Sequence, residues 1–124
     1  MARGLVLDVI NDRVYEADIK TLDDYYKHIH CDCIDMARRR IGRDMREFDL
    51  WVDDEGLLKD NFIVSAVDKY GRGMLAGNIV FLQHDGHGNE KSLTQEEIDY
   101  LMCYITECVE ASGKVRKALV WCEY

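Results

Sequence analysis

Candidate metal ligands are concentrated in one short stretch of the sequence, between positions 28 and 33. They are His28, His30, Cys31 and Cys33. Imidazole and thiolate groups are the side chains that bind zinc most readily. The spacing does not fit a structural zinc site, in which about two to four residues separate the two ligands of each cluster. His84 and His87 could form a second cluster, in the turn before the predicted long helix. We expect core cysteines and surface histidines rather than a metal site, and zinc retained by the purified protein would contradict this.

Arginine side chains form the main basic concentration in the sequence. The members are Arg38, Arg39, Arg40, Arg43 and Arg46. A guanidinium group donates hydrogen bonds in a fork that fits phosphate and carboxylate groups, so this cluster predicts an anion site for a nucleotide or for an acidic loop of a partner. Acidic neighbours allow the alternative of a solvated, self-neutralised face: Asp35, Asp44, Glu47 and Asp49.

An acidic run and a tryptophan follow the arginines. Asp53, Asp54, Glu55 and Asp60 can imitate DNA phosphates toward a nucleic-acid enzyme, although a solvated turn is the more ordinary structure for such a run. Trp51 falls on the polar face of its predicted strand. It either forms an exposed aromatic patch for a partner, together with Tyr25 and Tyr26, or is covered by the last helix or the C-terminal segment.

The sequence contains no catalytic signature. A cysteine nucleophile needs a histidine within hydrogen-bond reach and a third group that orients it, and five cysteines with four histidines make chance proximity common. Gly71-Arg72-Gly73 lacks the Lys-Ser/Thr ending of a phosphate-binding loop. We therefore expect a protein that is not an enzyme and that needs no cofactor.

The composition bounds the kind of molecule. A chain of 124 residues with 48% hydrophobic residues fits one folded domain, residues 1–124. Its formal net charge of -8 disfavours non-specific binding to DNA or to an anionic membrane and suits basic partners. The odd number of cysteines indicates reduced thiols, and Gly4 to Ile10 is too short for a signal peptide, so we expect a cytoplasmic protein.

Alternation of apolar and polar residues predicts the strands. Leu5 to Ile10 and Arg13 to Ile19 read as a hairpin. Cys33 to Ile41 and Phe48 to Asp53 alternate in the same way. Asn78 to Leu82 is apolar on both sides, which is typical of a central strand.

Capping signals predict three helices. The first begins after Thr21 and ends near His30, and a short second helix falls between Asp60 and Tyr70. The third runs from Thr94 to Ser112, because Thr94 and Glu97 form a capping box. Lys114 to Tyr124 is open between a strand and a helical turn.

Several of these segments together resemble an uncharacterised family, domain of unknown function 3846, found in bacteriophages and mobile elements. They are Leu50 to Leu58, Asn61 followed by Ala66, Gly77 to Leu82 and Ser92 to Ile98, with Ile34-Asp35 similar to that family's Ile-Glu strand. Cys31-Asp32 stands where the family usually has a glycine pair. The family has no established activity, so the resemblance implies a setting: a small accessory protein of a phage or integrated element.

We predict an α+β fold: a mostly antiparallel, twisted sheet of about five strands, with the long helix across one face and short helices near Thr21 and Asn61. We expect a non-enzymatic accessory protein that binds and inhibits a host macromolecule, such as a nucleic-acid-handling defence enzyme. The alternative is a protein that sequesters a nucleotide signal through the arginine cluster, as a homo-oligomer; a metal-dependent enzyme is third. The candidate binding residues are Arg38, Arg39, Arg40, Arg43, Trp51, Asp53, Asp54 and Glu55. We expect the functional face where the arginine cluster and the turn at His84 to His87 meet Trp51.

Overall fold

The structure is a computed structural model that describes residues 2–31, 33–56, 62–110 and 112–124. Strands make up 50% of it and helices 16%. In chain order the elements are β1 (Ala2–Asp8), β2 (Arg13–Ile19), α1 (Leu22–Ile29), β3 (Ile34–Ile41), β4 (Arg46–Asp53), β5 (Val64–Val67), β6 (Gly73–Ala76), β7 (Ile79–His84), β8 (Glu90–Lys91), α2 (Gln95–Tyr104), β9 (Ile105–Val109), β10 (Val115–Leu119) and β11 (Cys122–Glu123).

The strands form two sheets. Sheet A has the order β11-β3-β4-β7-β1-β2, with β8 also paired to β7, and all its pairings are antiparallel. Sheet B has the order β6-β5-β10-β9, and its β5–β10 pair is parallel. The predicted α+β fold with a single sheet of about five strands is therefore wrong: the protein is mainly β, because β5, β6, β9 and β10 build a second sheet.

Strand alternation fills the main core. Phe48, Leu50 and Val52 of β4 face the cluster that also contains residues of sheet B and α2, such as Leu101 and Leu119. The prediction of a central, doubly apolar strand is confirmed, because β7 lies between β4 and β1. Its odd-numbered apolar residues join the main core, and its even-numbered ones join a smaller cluster beneath α1.

The predicted long C-terminal helix is wrong. Its start is confirmed, since the Thr94 hydroxyl accepts a hydrogen bond from the Glu97 N–H at 3.1 Å and the Glu97 carboxylate accepts one from the Thr94 N–H at 2.8 Å. The helix ends at Tyr104, however, and Ile105–Val109 continues as β9, paired with β10. This segment is rich in β-branched residues, which lose side-chain freedom in a helix and pack well in a sheet. In the part of the chain that the structure describes, no long helix packs across a sheet.

The predicted short helix between Asp60 and Tyr70 is also wrong where the structure describes it. Val64–Val67 is β5, and the proposed caps Asp60 and Asn61 lie outside the described residues. The helix after Thr21 is confirmed as α1, and His30 ends it in the left-handed conformation with φ of 62°. The open C-terminal segment forms two strands, one in each sheet.

Candidate functional site

The arginine cluster does not converge on one site. Successive residues of a strand point to opposite faces, so Arg38 and Arg40 lie on one face of sheet A and Arg39 lies on the other. Arg43 is in the exposed turn between β3 and β4. Among the described residues, the guanidinium groups therefore do not gather around a common point.

Acidic neighbours on the same face of the sheet neutralise Arg38, which agrees with the alternative of a self-neutralised face. Its Nε lies 2.8 Å from Oδ1 of Asp49, whose side chain is only 3% exposed. Nδ1 of His84 lies 3.2 Å from the same oxygen, and a carboxylate oxygen of Glu47 lies within 4 Å of both the Arg38 and the His84 side chains. The arginine cluster and the histidine turn thus meet, as predicted, but they meet at Asp49 rather than at Trp51.

Trp51 is covered by the first helix, not by the last one. Its ring centroid lies 4.7 Å from that of Tyr25, a buried residue of α1 whose hydroxyl donates to the carboxylate of Glu90. Burial raises the pKa of Tyr25, and the bond to Glu90 raises it further. The predicted exposed aromatic patch is therefore a packed contact.

The β3–β4 turn is fixed to α2 by two tyrosines. The Tyr100 hydroxyl donates to the Ile41 carbonyl at 2.5 Å, and the Tyr104 hydroxyl accepts from the Arg43 N–H at 3.0 Å. Gly42 has φ of +77°, and a Cβ there would lie 2.4 Å from the Tyr104 ring. This end of the hairpin is structural, and Arg43 is exposed on it without an ion pair to any described residue.

The opposite end of the hairpin borders a groove between the two sheets. The groove has a volume of about 410 Å³ and brings together three of the predicted residues, Arg39, Asp53 and Asp54. Its other described lining residues are Asp35, Ala37, Val52, Gly56, Met74, Leu75, Ala76 and Tyr124. Among the predicted binding residues, Arg38, Arg40, Arg43, Trp51 and Glu55 do not line it.

The floor and the mouth of this inter-sheet groove differ in chemistry. Alanine, valine, methionine and leucine side chains from β3, β4 and β6 form an apolar floor. Asp35 and Asp54 are exposed at the mouth and make no ion pair with a described residue. Asp53 accepts a hydrogen bond from the Glu55 N–H at 2.9 Å, which orders the acidic turn. The mouth therefore carries negative charge beside apolar surface.

A cation stacked on an aromatic ring closes the other end of the groove. The guanidinium of Arg39 lies 4.6 Å from the centroid of the Tyr124 ring. Its Nη1 donates to the Arg38 carbonyl at 3.1 Å. Its Nε is buried and has no hydrogen-bond partner among the described residues.

Close backbone approach forms one wall of the groove. A Cβ on Gly56 would lie 2.7 Å from the carbonyl oxygen of Ala76, so only glycine lets the end of the acidic turn approach β6 this closely. Sequence reasoning missed Tyr124 and the β6 residues Met74 to Ala76 as parts of a site. It noted Asp35 only as a neighbour that neutralises arginine.

A second carboxylate centre, at Asp8, is structural. Asp8 is fully buried at the end of β1 and accepts hydrogen bonds from Asn11, Arg13 and Asn78 at 2.9 to 3.1 Å. Burial raises its pKa, but these hydrogen bonds together outweigh that effect and lower the pKa to about 2. Asn78 also donates to the His28 carbonyl at 2.9 Å, so the cluster ties β1, β7 and α1 together.

The candidate metal ligands are spread over different environments. Nδ1 of His28 lies 2.8 Å from the Tyr15 hydroxyl, and burial lowers the pKa of His28. His30 is exposed at the end of α1, and Cys33 is exposed while Cys31 is half-buried. In the described ranges no group of three His, Cys, Asp or Glu side chains is arranged to hold a metal ion.

A mainly β protein of two sheets with an acid-lined groove between them is the class that the fold and the groove define. A family model described as Domain of unknown function (DUF3846) matches residues 2–107, so the chain belongs to this family. No curated protein and no solved structure gives a significant match. Neither described helix is long and apolar enough to cross a membrane.

Proposed function

We propose that the protein is a non-enzymatic binding protein that captures a basic segment of a partner protein in the inter-sheet groove. The observation that carries this proposal is the mouth of the groove, where Asp35 and Asp54 lie beside an apolar floor without an ion-pair partner among the described residues. A lysine or arginine side chain matches both features, because its methylene stem packs on apolar surface while its charged head stays at the carboxylates. The net charge of -8 adds long-range attraction for such a partner.

The partner class follows from the same chemistry. Basic segments are typical of proteins that bind nucleic acid, because lysine and arginine neutralise phosphates. A protein that occupies such a segment competes with the nucleic acid for it. In the phage or mobile-element setting that the family resemblance implies, the partner would be a nucleic-acid-handling defence enzyme of the host, and binding would inhibit it.

A defined cationic probe tests the binding. The probe is a fluorescein-labelled Thr-Lys-Val-Lys-Thr peptide with blocked ends, measured by fluorescence anisotropy at low salt. We expect saturable binding that the double variant Asp35→Asn, Asp54→Asn weakens about fivefold, since each exposed charge pair contributes about 0.5 kcal/mol. The matched control is Asp23→Asn, Glu107→Gln, which removes the same charge from exposed positions on α1 and β9.

Two results would contradict the proposal. One is no binding of the peptide, and the other is equal weakening by the groove variant and by the control, which would mean that only net charge matters. Inhibition is tested separately by adding the protein to a host lysate and following degradation of labelled DNA. Wild-type protein should slow degradation and the groove variant should not.

The alternative of nucleotide binding through the arginine cluster has less support. Arg38 is paired with Asp49, and Arg39 lies on the opposite face beside the acidic mouth. A nucleotide phosphate would meet those carboxylates. A thermal shift with nucleotides that Arg39→Glu, Arg40→Glu abolishes would favour it nonetheless.

A further inference from the structure

The outer edge of β3 is only partly covered by another strand. β11 pairs with Arg40 and Ile41 and extends no further along β3. The Gly42 N–H donates to the Trp121 carbonyl at 2.9 Å, so the backbone groups of Gly42 face the β11 side of β3. Since backbone groups alternate along a strand, the N–H and C=O of Ile34, Met36 and Arg38 point to the open side.

Two side chains of the groove cover part of this open edge. Asp35 accepts a hydrogen bond from the Met36 N–H at 2.9 Å, and Arg39 donates to the Arg38 carbonyl at 3.1 Å. The Arg38 N–H and the Met36 carbonyl have no backbone partner among the described residues. Asp35 is exposed, so its bond to the edge is readily exchanged for another.

The open edge and the groove share the same strand. Asp35, Ala37 and Arg39 point into the groove, and the residues between them present their backbone to the edge. A strand laid along the edge would therefore place every second side chain over the groove. Those side chains would lie opposite Asp35 and Ala37, close to Asp54.

We propose that an extended basic segment of the partner adds as a strand to the edge of β3 between Ile34 and Arg38, in line with β11. This rests on the proposed function and specifies how the segment binds. Its backbone replaces the bonds that Asp35 and Arg39 make to the edge. Released from the Met36 N–H, the Asp35 carboxylate pairs with a basic side chain, while the alternate side chains point away from the groove.

Alternate N–H groups of an added strand face β3, and this gives a test that distinguishes strand addition from binding through side chains alone. In the Thr-Lys-Val-Lys-Thr probe, added antiparallel to β3 as β11 is, the two lysines face the groove and the N–H of the central valine faces β3. N-methylation of the valine removes that donor and should weaken binding at least tenfold. N-methylation of the second lysine blocks an N–H that points away from β3, and should change affinity less than twofold.

Amide hydrogen exchange provides a second readout. The Met36 and Arg38 amides should become protected when the unmodified peptide binds, and the exposed Val109 amide on β9 should not. Equal affinity of the two N-methylated peptides, without protection of Met36 and Arg38, would overturn strand addition while the groove proposal stands. Failure of the unmodified peptide to bind would overturn both.

Discussion

The buried Asp8 and the groove aspartates, Asp35 and Asp54, have different roles in this molecule. Asp8 is fully buried and satisfied by four hydrogen bonds from three side chains and a backbone N–H near the end of β1. Asp35 and Asp54 are exposed at the groove and have no ion-pair partner in the described ranges. The same carboxylate therefore stabilises the fold where its partners are internal, and is available to a ligand where they are not. Partners, rather than residue type, separate the two roles.

Removal of the buried carboxylate should produce the largest effect on stability. Asp8→Ala leaves one of the two N–H groups of the buried Asn78 amide without an acceptor, and the Arg13 guanidinium without its carboxylate partner. We expect a loss of about 3 kcal/mol in the free energy of unfolding, measured by urea denaturation. Asp54→Ala is the matched control and should stay within about 0.5 kcal/mol of wild type. Equal losses in the two variants would show that the buried and the exposed aspartate contribute equally to stability.

Acid should remove the contribution of Asp8 gradually. Its pKa is about 2 in the folded protein against 3.8 ordinarily, so its stabilisation is fully present above about pH 4 and is lost as the pH falls toward 2. The expected contribution is about 2 kcal/mol. Unfolding free energies of wild type and Asp8→Asn should converge over this interval. Parallel curves would show that Asp8 gains nothing from folding in its charged form.

The start of α2 gives an intermediate case. Glu97 is buried, which raises its pKa, but hydrogen bonds from Gln83 and Thr94 outweigh this and lower it. Thr94→Ala removes one half of the capping box and should cost about 1 kcal/mol in thermal or urea denaturation. Thr94→Ser keeps the hydroxyl and should behave nearly as wild type, which separates capping from side-chain size.

The groove aspartates should affect stability least. Asp35→Asn, Asp54→Asn should leave the unfolding free energy within about 0.5 kcal/mol of wild type, since exposed charges contribute little to it. The affinity of this double variant for the cationic probe should fall less steeply with added salt than the affinity of the wild-type protein, because fewer charge pairs form. A large loss of stability would show that Asp35 and Asp54 stabilise the fold, as Asp8 does.

Local signals in the sequence predicted local structure well. The capping box at Thr94 and the alternation of β4 are confirmed because neighbouring residues decide both. The end of α2 was not predictable in this way. Val109 lies at helical spacing from Ile105, and the β-branched residues of this segment favour a strand only weakly until it pairs with β10, several residues further on.

The site was predictable only in part, for a similar reason. Sequence proximity suggested that the arginines act together, whereas strand alternation places Arg38 with Asp49 and Arg39 with the groove acids. Asp53 and Asp54 were found because their charge is local. Tyr124 was missed because its place beside Arg39 depends on β11, which crosses back from sheet B to sheet A.

That crossing has a consequence for synthesis in the cell. β10 completes sheet B and β11 extends sheet A, with only Val120 and Trp121 between them. Neither sheet is complete until residues 115–123 have left the ribosome, so the nascent chain exposes the edges of β3 and β5 until then. The accessibility of Cys122 can report when β11 pairs with β3. Its thiol is buried and its pKa is raised to about 12, so its protection from alkylation marks the moment when β11 has paired with β3.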